Sequence, residues 1–159
     1  MSAEDGRHWP QFTNLGDSAL MVKMGEGITP DINDRVRKLT FSIQEGDIPG
    51  VLEIVPTYGS LTVHYNPMVL PQDVLKENIS LLCEVHSDKG ESKRKVVLLP
   101  TLYGPEVGPD LSSVCELTNL GCSDVIQIHS GTDYRVYALG FSPGFPYLGG
   151  LDEKLYCPR

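Results

Sequence analysis

Apolar and polar positions alternate in short bursts at the start of the chain. Phe12 to Leu15 and Ala19 to Met24 are two brief apolar segments separated by Gly16-Asp17-Ser18. Glycine gives that turn access to positive φ, so the segments predict a β-hairpin. Thr29-Pro30-Asp31 then combines an N-cap, a proline suited to the first helical position and an acid in the first turn. Ile32, Val36, Leu39 and Ile43 follow at intervals of four, three and four, one apolar stripe of an amphipathic helix. Gly46 and Pro49-Gly50 end it. Val51 to Val55 predicts a strand closed by Pro56, and Leu61, Val63 and Tyr65 alternate with Thr62 and His64, the period of a half-buried strand. Gln72 to Val85 returns to helical spacing, with Val74, Leu75, Ile79 and Leu82 on one side. The order is ββαββα, which predicts a two-layer α+β sandwich over residues 1–86.

The polar run Ser87 to Ser92 is a linker and domain boundary by composition. A second domain is expected over 93–159. Val96 to Leu99 predicts a strand closed by Pro100. Pro109-Asp110 opens a short helix carrying Leu111, Val114, Cys115 and Thr118 on one face, with Gly121 expected to cap its end. Ser123-Asp124 opens another, and Tyr134 to Leu139 predicts a strand. From Gly140 to Leu151 the chain reads as a loop rich in glycine, proline and aromatic residues. Two strands are too little sheet for an independent core, so this half reads as the start of a larger domain.

Composition narrows the classes of partner. The chain of 159 residues carries 13 basic and 21 acidic side chains, a net charge of −8. That diffuse negative charge disfavours nucleic acid and anionic membrane surfaces, which need clustered Lys and Arg. Lys93-Arg94-Lys95 is the dense basic run, read as a solvated strand entrance. No segment has the length of a membrane span, and Met1 to Asp17 has no signal-peptide core, so a cytoplasmic protein with four reduced thiols is expected. None of Cys83, Cys115, Cys122 and Cys157 forms a C-x-x-C pair, and no metal site is expected.

The candidate chemistry concentrates near the carboxyl end. Phe141, Phe145 and Tyr147 are interleaved with Pro143, Gly144, Pro146, Gly149 and Gly150. Prolines stiffen such a loop, and glycines let backbone N–H groups approach a ligand. The loop is therefore either a pocket wall with donors on its rim or a rigid connection with its aromatics pinned in a core. Asp152 and Arg159 are the nearest charged candidates. Gly104 to Asp110 ends at a helix start, which suits an anion or a plain turn and cap. His129, Ser130 and Asp133 contain the residue types of a nucleophilic triad, but neighbours on a helix end seldom meet in that geometry, and a cap is the simpler role for His129. No nucleophile is evident, and the catalytic residues are left open.

The run Gly-Phe-Ser-Pro-Gly-Phe-Pro-Tyr-Leu-Gly-Gly-Leu-Asp from Gly140 to Asp152 resembles the signature of the allophanate hydrolase subunit 1 family. That family includes the B component of bacterial 5-oxoprolinase (PxpB) and the sporulation kinase inhibitor KipI. Leu15 to Ala19, Pro49-Gly50 with Pro56 to Val63, and Tyr103-Gly104 with Gly108 to Leu111 resemble its opening turn, its central hairpin and the entry to its second domain. The resemblance implies a ββαββα domain followed by a cyclophilin-like β-barrel, here incomplete, since the family continues into further barrel strands. It also implies a non-autonomous subunit of an ATP-dependent amide hydrolase, acting with A-like and C-like subunits to convert 5-oxoproline to glutamate. ATP would belong to the complex, with none bound by this chain alone. The same resemblance admits two alternatives: an inhibitor that binds a sensor histidine kinase, and a carboxyltransferase-type component of an allophanate hydrolase or urea carboxylase system. Under the enzyme reading, Phe141, Pro143, Gly144, Phe145, Tyr147, Gly149, Asp152 and Arg159 line a substrate site or subunit interface.

Overall fold

The computed structural model of the protein describes residues 8–84 and 95–158. The chain divides into two compact units, Met1–Lys93 and Arg94–Arg159. The expected linker at 87–92 and the residue His86 lie outside the described residues.

The first unit is a four-stranded antiparallel sheet with two helices. Its elements are β1 (Gln11–Asn14), β2 (Ala19–Lys23), α1 (Pro30–Glu45), β3 (Val51–Pro56), β4 (Ser60–Tyr65) and α2 (Gln72–Glu84). The strand order is β1-β2-β4-β3. The hairpin turn closes with Leu15 N–H donating to the Ala19 carbonyl at 2.9 Å. Leu20 pairs with Val63 and Val22 with Leu61, so one face of the central strands is fully apolar. These four side chains are fully buried, together with Val36 of α1 and Leu75 and Ile79 of α2. Tyr65 is buried as well, and its hydroxyl accepts a hydrogen bond from Gln72 Nε2 at 3.0 Å, which offsets the cost of burying it.

Helix α1 begins as the sequence dictates. Thr29 Oγ1 accepts from Ile32 N–H at 3.3 Å, and Pro30 takes the first helical position. The buried stripe differs in one place. Asn33 is completely buried, while Ile32 is only partly so. The Asn33 amide donates to the carbonyls of Thr57 at 3.3 Å and Tyr58 at 3.1 Å, tying the helix to the β3–β4 turn. Helical periodicity of apolar residues passes over such an anchor, because its partners are remote in the chain.

The second unit contains α3 (Leu111–Thr118), α4 (Cys122–Gly131), β5 (Arg135–Leu139), β6 (Pro146–Gly149) and a 3-10 turn at Glu153–Leu155. Strands β5 and β6 form a two-stranded antiparallel sheet. The α+β class therefore stands, while no barrel is present among the described residues. Three sequence expectations are corrected here. Val96 to Leu99 is not a strand: it belongs to neither sheet, and ladder hydrogen bonds rather than β-propensity make a strand. The stretch from Gly140 to Leu151 is not wholly a loop, since Pro146–Gly149 pairs with β5, proline taking the first residue of the strand. Finally, Gly121 does not cap α3. Asn119 adopts the left-handed conformation at φ 54°, and Gly121 is the N-cap of α4.

Candidate functional site

The β5–β6 hairpin gathers the aromatic residues of the sequence motif. Leu139 pairs with Pro146 and Ala138 with Tyr147. Between the strands the chain folds tightly: Gly140 N–H donates to the Phe145 carbonyl at 3.0 Å, Ser142 N–H to Gly140 at 2.6 Å and Phe145 N–H to Ser142 at 3.0 Å. Phe141 is held at φ 60°, a left-handed conformation that costs a bulky residue about 1–2 kcal/mol.

That geometry places three rings in a row. Phe141 meets Phe145 edge to face at 5.6 Å between centroids, and Phe145 meets Tyr147 in the same manner at 5.5 Å. The rings are not sealed in a core. Phe141 is 91% exposed, Phe145 46% and Tyr147 37%. Of the two readings open at the sequence level, the pinned core is thus excluded for Phe141. A shallow depression of about 370 Å³ is lined by Leu139, Gly140, Phe141, Ser142, Pro143 and Gly144. Gly144 sits at φ 79° with open space around its Cα, so its backbone is approachable. Gly149 has a different task. A Cβ there would come within 2.6 Å of the Tyr137 ring, so the glycine makes room for that buried ring.

Asp152 stands just beyond β6. Its Oδ1 accepts from Lys154 N–H at 2.9 Å, capping the 3-10 turn. Desolvation raises the pKa of the Tyr134 phenol, and the Asp152 charge adds to that rise. Arg159 lies outside the described residues.

A second polar cluster surrounds His129. Tyr103 Oη and His129 Nδ1 are 2.6 Å apart, and the rings meet nearly perpendicular. Tyr134 Oη donates to the His129 carbonyl at 3.2 Å, and its ring tilts against the imidazole. His129 and Ser130 do not pair, as expected of neighbours on a helix end: Ser130 Oγ donates back to the Ile126 carbonyl at 2.7 Å, while the His129 ring turns to Tyr103. Tyr103 and Tyr134 escape sequence reasoning because they lie 26 residues before and five residues after their partner. The loop from Gly104 closes on itself, with Gly108 N–H donating to the Gly104 carbonyl at 2.7 Å, and Asp110 makes no side-chain cap bond. It is turn chemistry. Among the described residues no group of His, Cys, Asp or Glu could hold a metal ion, and no helix is long and apolar enough to cross a membrane.

Residues 10–159 match the family described as carboxyltransferase domain, subdomain C and D. Among curated relatives, the chain is 39% identical over 160 residues to the 5-oxoprolinase B component of Bacillus subtilis, covering 94% of this chain and 66% of the relative. It is 34% identical over 146 residues to the 5-oxoprolinase B component of Escherichia coli O157:H7, covering 91% of this chain and 65% of the relative. The chain thus spans about two thirds of the length of these relatives. Among solved structures it is similar to that of TTHA0988, with a TM-score of 0.75 and 33% identity over 89% of this chain and 27% of the other. A match across nearly the whole chain, with the aromatic hairpin inside it, places the protein in the carboxyltransferase subdomain C and D family.

Proposed function

We propose that the chain works as part of a B-type component of 5-oxoprolinase, contributing the β5–β6 hairpin to a site or interface shared with A-like and C-like partners in the cytoplasm. The observation that carries this reading is the 39% identity to a 5-oxoprolinase B component over 94% of the chain. The hairpin gives it physical content. Phe141 leaves 91% of its surface in water although its backbone is strained to hold it there. Exposed aromatic surface on a rigid turn is the material of a binding hot spot. Phe145 supports that ring edge to face and Tyr147 supports Phe145 in turn, while Pro143 and Gly144 form the rim. The Gly144 N–H suits a carboxylate or carbonyl oxygen of the substrate, since Pro143 has no N–H and that of Phe145 is held by the Ser142 carbonyl. Asp152 is the charged group proposed for it, with Arg159 kept as a candidate from the sequence alone. ATP enters at the level of the assembly, and this chain supplies no recognisable nucleophile for the amide bond. The second unit is proposed to be part of a cyclophilin-like barrel.

The test is reconstitution with the A-like and C-like proteins and measurement of 5-oxoproline-dependent ATP hydrolysis. Turnover is expected, and Phe141→Ala is expected to lower it at least about tenfold, the loss of one hot-spot contact. Absence of turnover together with binding to a sensor histidine kinase would replace this reading with the inhibitor.

A further inference from the structure

Helices α1 and α2 are neighbours, and each buries one stripe in the common core of the first unit. A helix that meets only such a core carries polar residues on its other side. Helix α2 departs from that rule. Its inner stripe is Leu75, Ile79 and Leu82, yet Val74 and Leu81 stay exposed. With Glu77 between them they stand at i, i+3 and i+7, a second line along the outer side of the helix. Helix α1 shows the counterpart. Arg35, Lys38 and Phe41, all exposed, follow at i, i+3 and i+6. One line is two cations and an aromatic ring, and the other is an acid between two aliphatic side chains. Arg35, Lys38 and Glu77 have no ion partner among the described residues. Arg37 and Lys76, by contrast, are paired within their own helices, with Asp34 at 3.8 Å and Asp73 at 3.9 Å.

We propose that this pair of helices is an interaction surface for a second copy of the chain. In a two-fold dimer α1 of each copy lies on α2 of the other, and every contact occurs twice. Phe41 packs between Val74 and Leu81 of the second copy, while Arg35 and Lys38 flank its Glu77. The signs select this occupant. The cations of α1 and the acid of α2 complement each other, and both stand on the outer side of one layer, so turning a second copy over brings each against its opposite. The apolar residues give the contact its centre and the charges its rim. Two helices of 16 and 13 residues offer a modest area, which fits a reversible dimer with a dissociation constant on the micromolar scale.

The test is sedimentation equilibrium of the full chain over a concentration series, for the wild type, Lys38→Glu, Glu77→Lys and the double exchange. The wild type is expected to pass from monomer to dimer. Each single reversal is expected to weaken association at least about tenfold, because it sets like charges opposite each other twice per dimer. The double exchange rebuilds both pairs and is expected to return the dissociation constant to within about threefold of the wild type. One reversal makes the chain less negative and the other more so, while the double exchange keeps the net charge at −8, so a general effect of charge would move the single variants in opposite directions. Both positions are exposed, and an unchanged far-ultraviolet circular dichroism spectrum verifies the fold of the variants. A wild-type chain that stays monomeric throughout overturns the proposal. So does a dimer indifferent to the reversals, or one abolished by Leu98→Lys instead. A monomer whose binding to the A-like or C-like protein falls with Glu77→Lys gives the face to that partner and overturns it as well.

Discussion

The two units solve the problem of burying apolar surface to very different degrees. In the first, the central strands β2 and β4, both helices and the segments beside them supply one continuous buried cluster that runs from Leu20 to Ile79. In the second, only Val125, Tyr137 and Leu155 are buried hydrophobics among the described residues. Meanwhile Val96, Val97, Leu98, Leu99, Leu102 and Phe141 stand largely in water. The first unit carries its own core. The second leaves most of its large apolar residues exposed.

The largest test of this contrast is in the first core. Leu61→Ala removes a fully buried side chain from the middle of the sheet and is expected to cost about 2–5 kcal/mol, read as a lowered urea midpoint for this unit. Leu155→Ala, in the thin core, is expected at the low end, about 2 kcal/mol, because neighbours and solvent can fill the space more readily. Equal losses at the two positions would erase the contrast. Asn33→Ala leaves two carbonyls of the β3–β4 turn without their donor and is expected to cost about 1–3 kcal/mol, with faster amide exchange around Thr57 and Tyr58. Thr29→Ala removes the cap of α1 at a cost of about 1 kcal/mol, seen in the same denaturation curves.

Smaller effects sharpen the picture. Burial, with help from the neighbouring Glu84 charge, pushes the Cys83 thiol from 9.0 up to about 11. Below pH 9 the thiol is protonated in both folded and unfolded chains. Between 9 and about 11 only the unfolded chain ionises, so folding loses stability as pH rises through that window. Cys83→Ala is expected to flatten the alkaline slope of the unfolding midpoint, and alkylation at pH 8 is expected to be slowest at Cys83. Phe141→Ala is expected to change stability by less than about 0.5 kcal/mol, since the ring is 91% exposed, while reducing assembly-dependent activity. A large drop in its thermal midpoint would make that ring structural instead.

The contrast also marks how far sequence reading reaches. Every strand and helix of the first unit is legible, because each buries one face, and burial on one face writes a period of two or 3.6 into the residues. Thr29, Pro30 and Asp31 announce α1 for equally local reasons. In the second unit α3, α4 and β5 are legible as well, and the sequence misleads at two places. Val96 to Leu99 has the composition of a strand without a neighbour to pair with, and β6 is hidden by Pro146 and Gly149. The rigid aromatic turn is legible as chemistry but not as shape: that Phe141 faces water while Gly149 shelters Tyr137 depends on pairing with β5. Asn33, Tyr103 and Tyr134 leave no local trace, because their partners are remote in the chain or tied to tertiary packing.

The stretch Val96–Leu99 has a practical consequence. Its four side chains are between 62% and 90% exposed, and they lie on backbone that no strand of either sheet shields. Such a ribbon invites a neighbouring molecule in solution to zip against it. Pro100 limits the length of that zipper, and a net charge of −8 keeps copies apart at low ionic strength. Concentrated, salty samples should therefore cloud first, and Leu98→Lys should keep them clear.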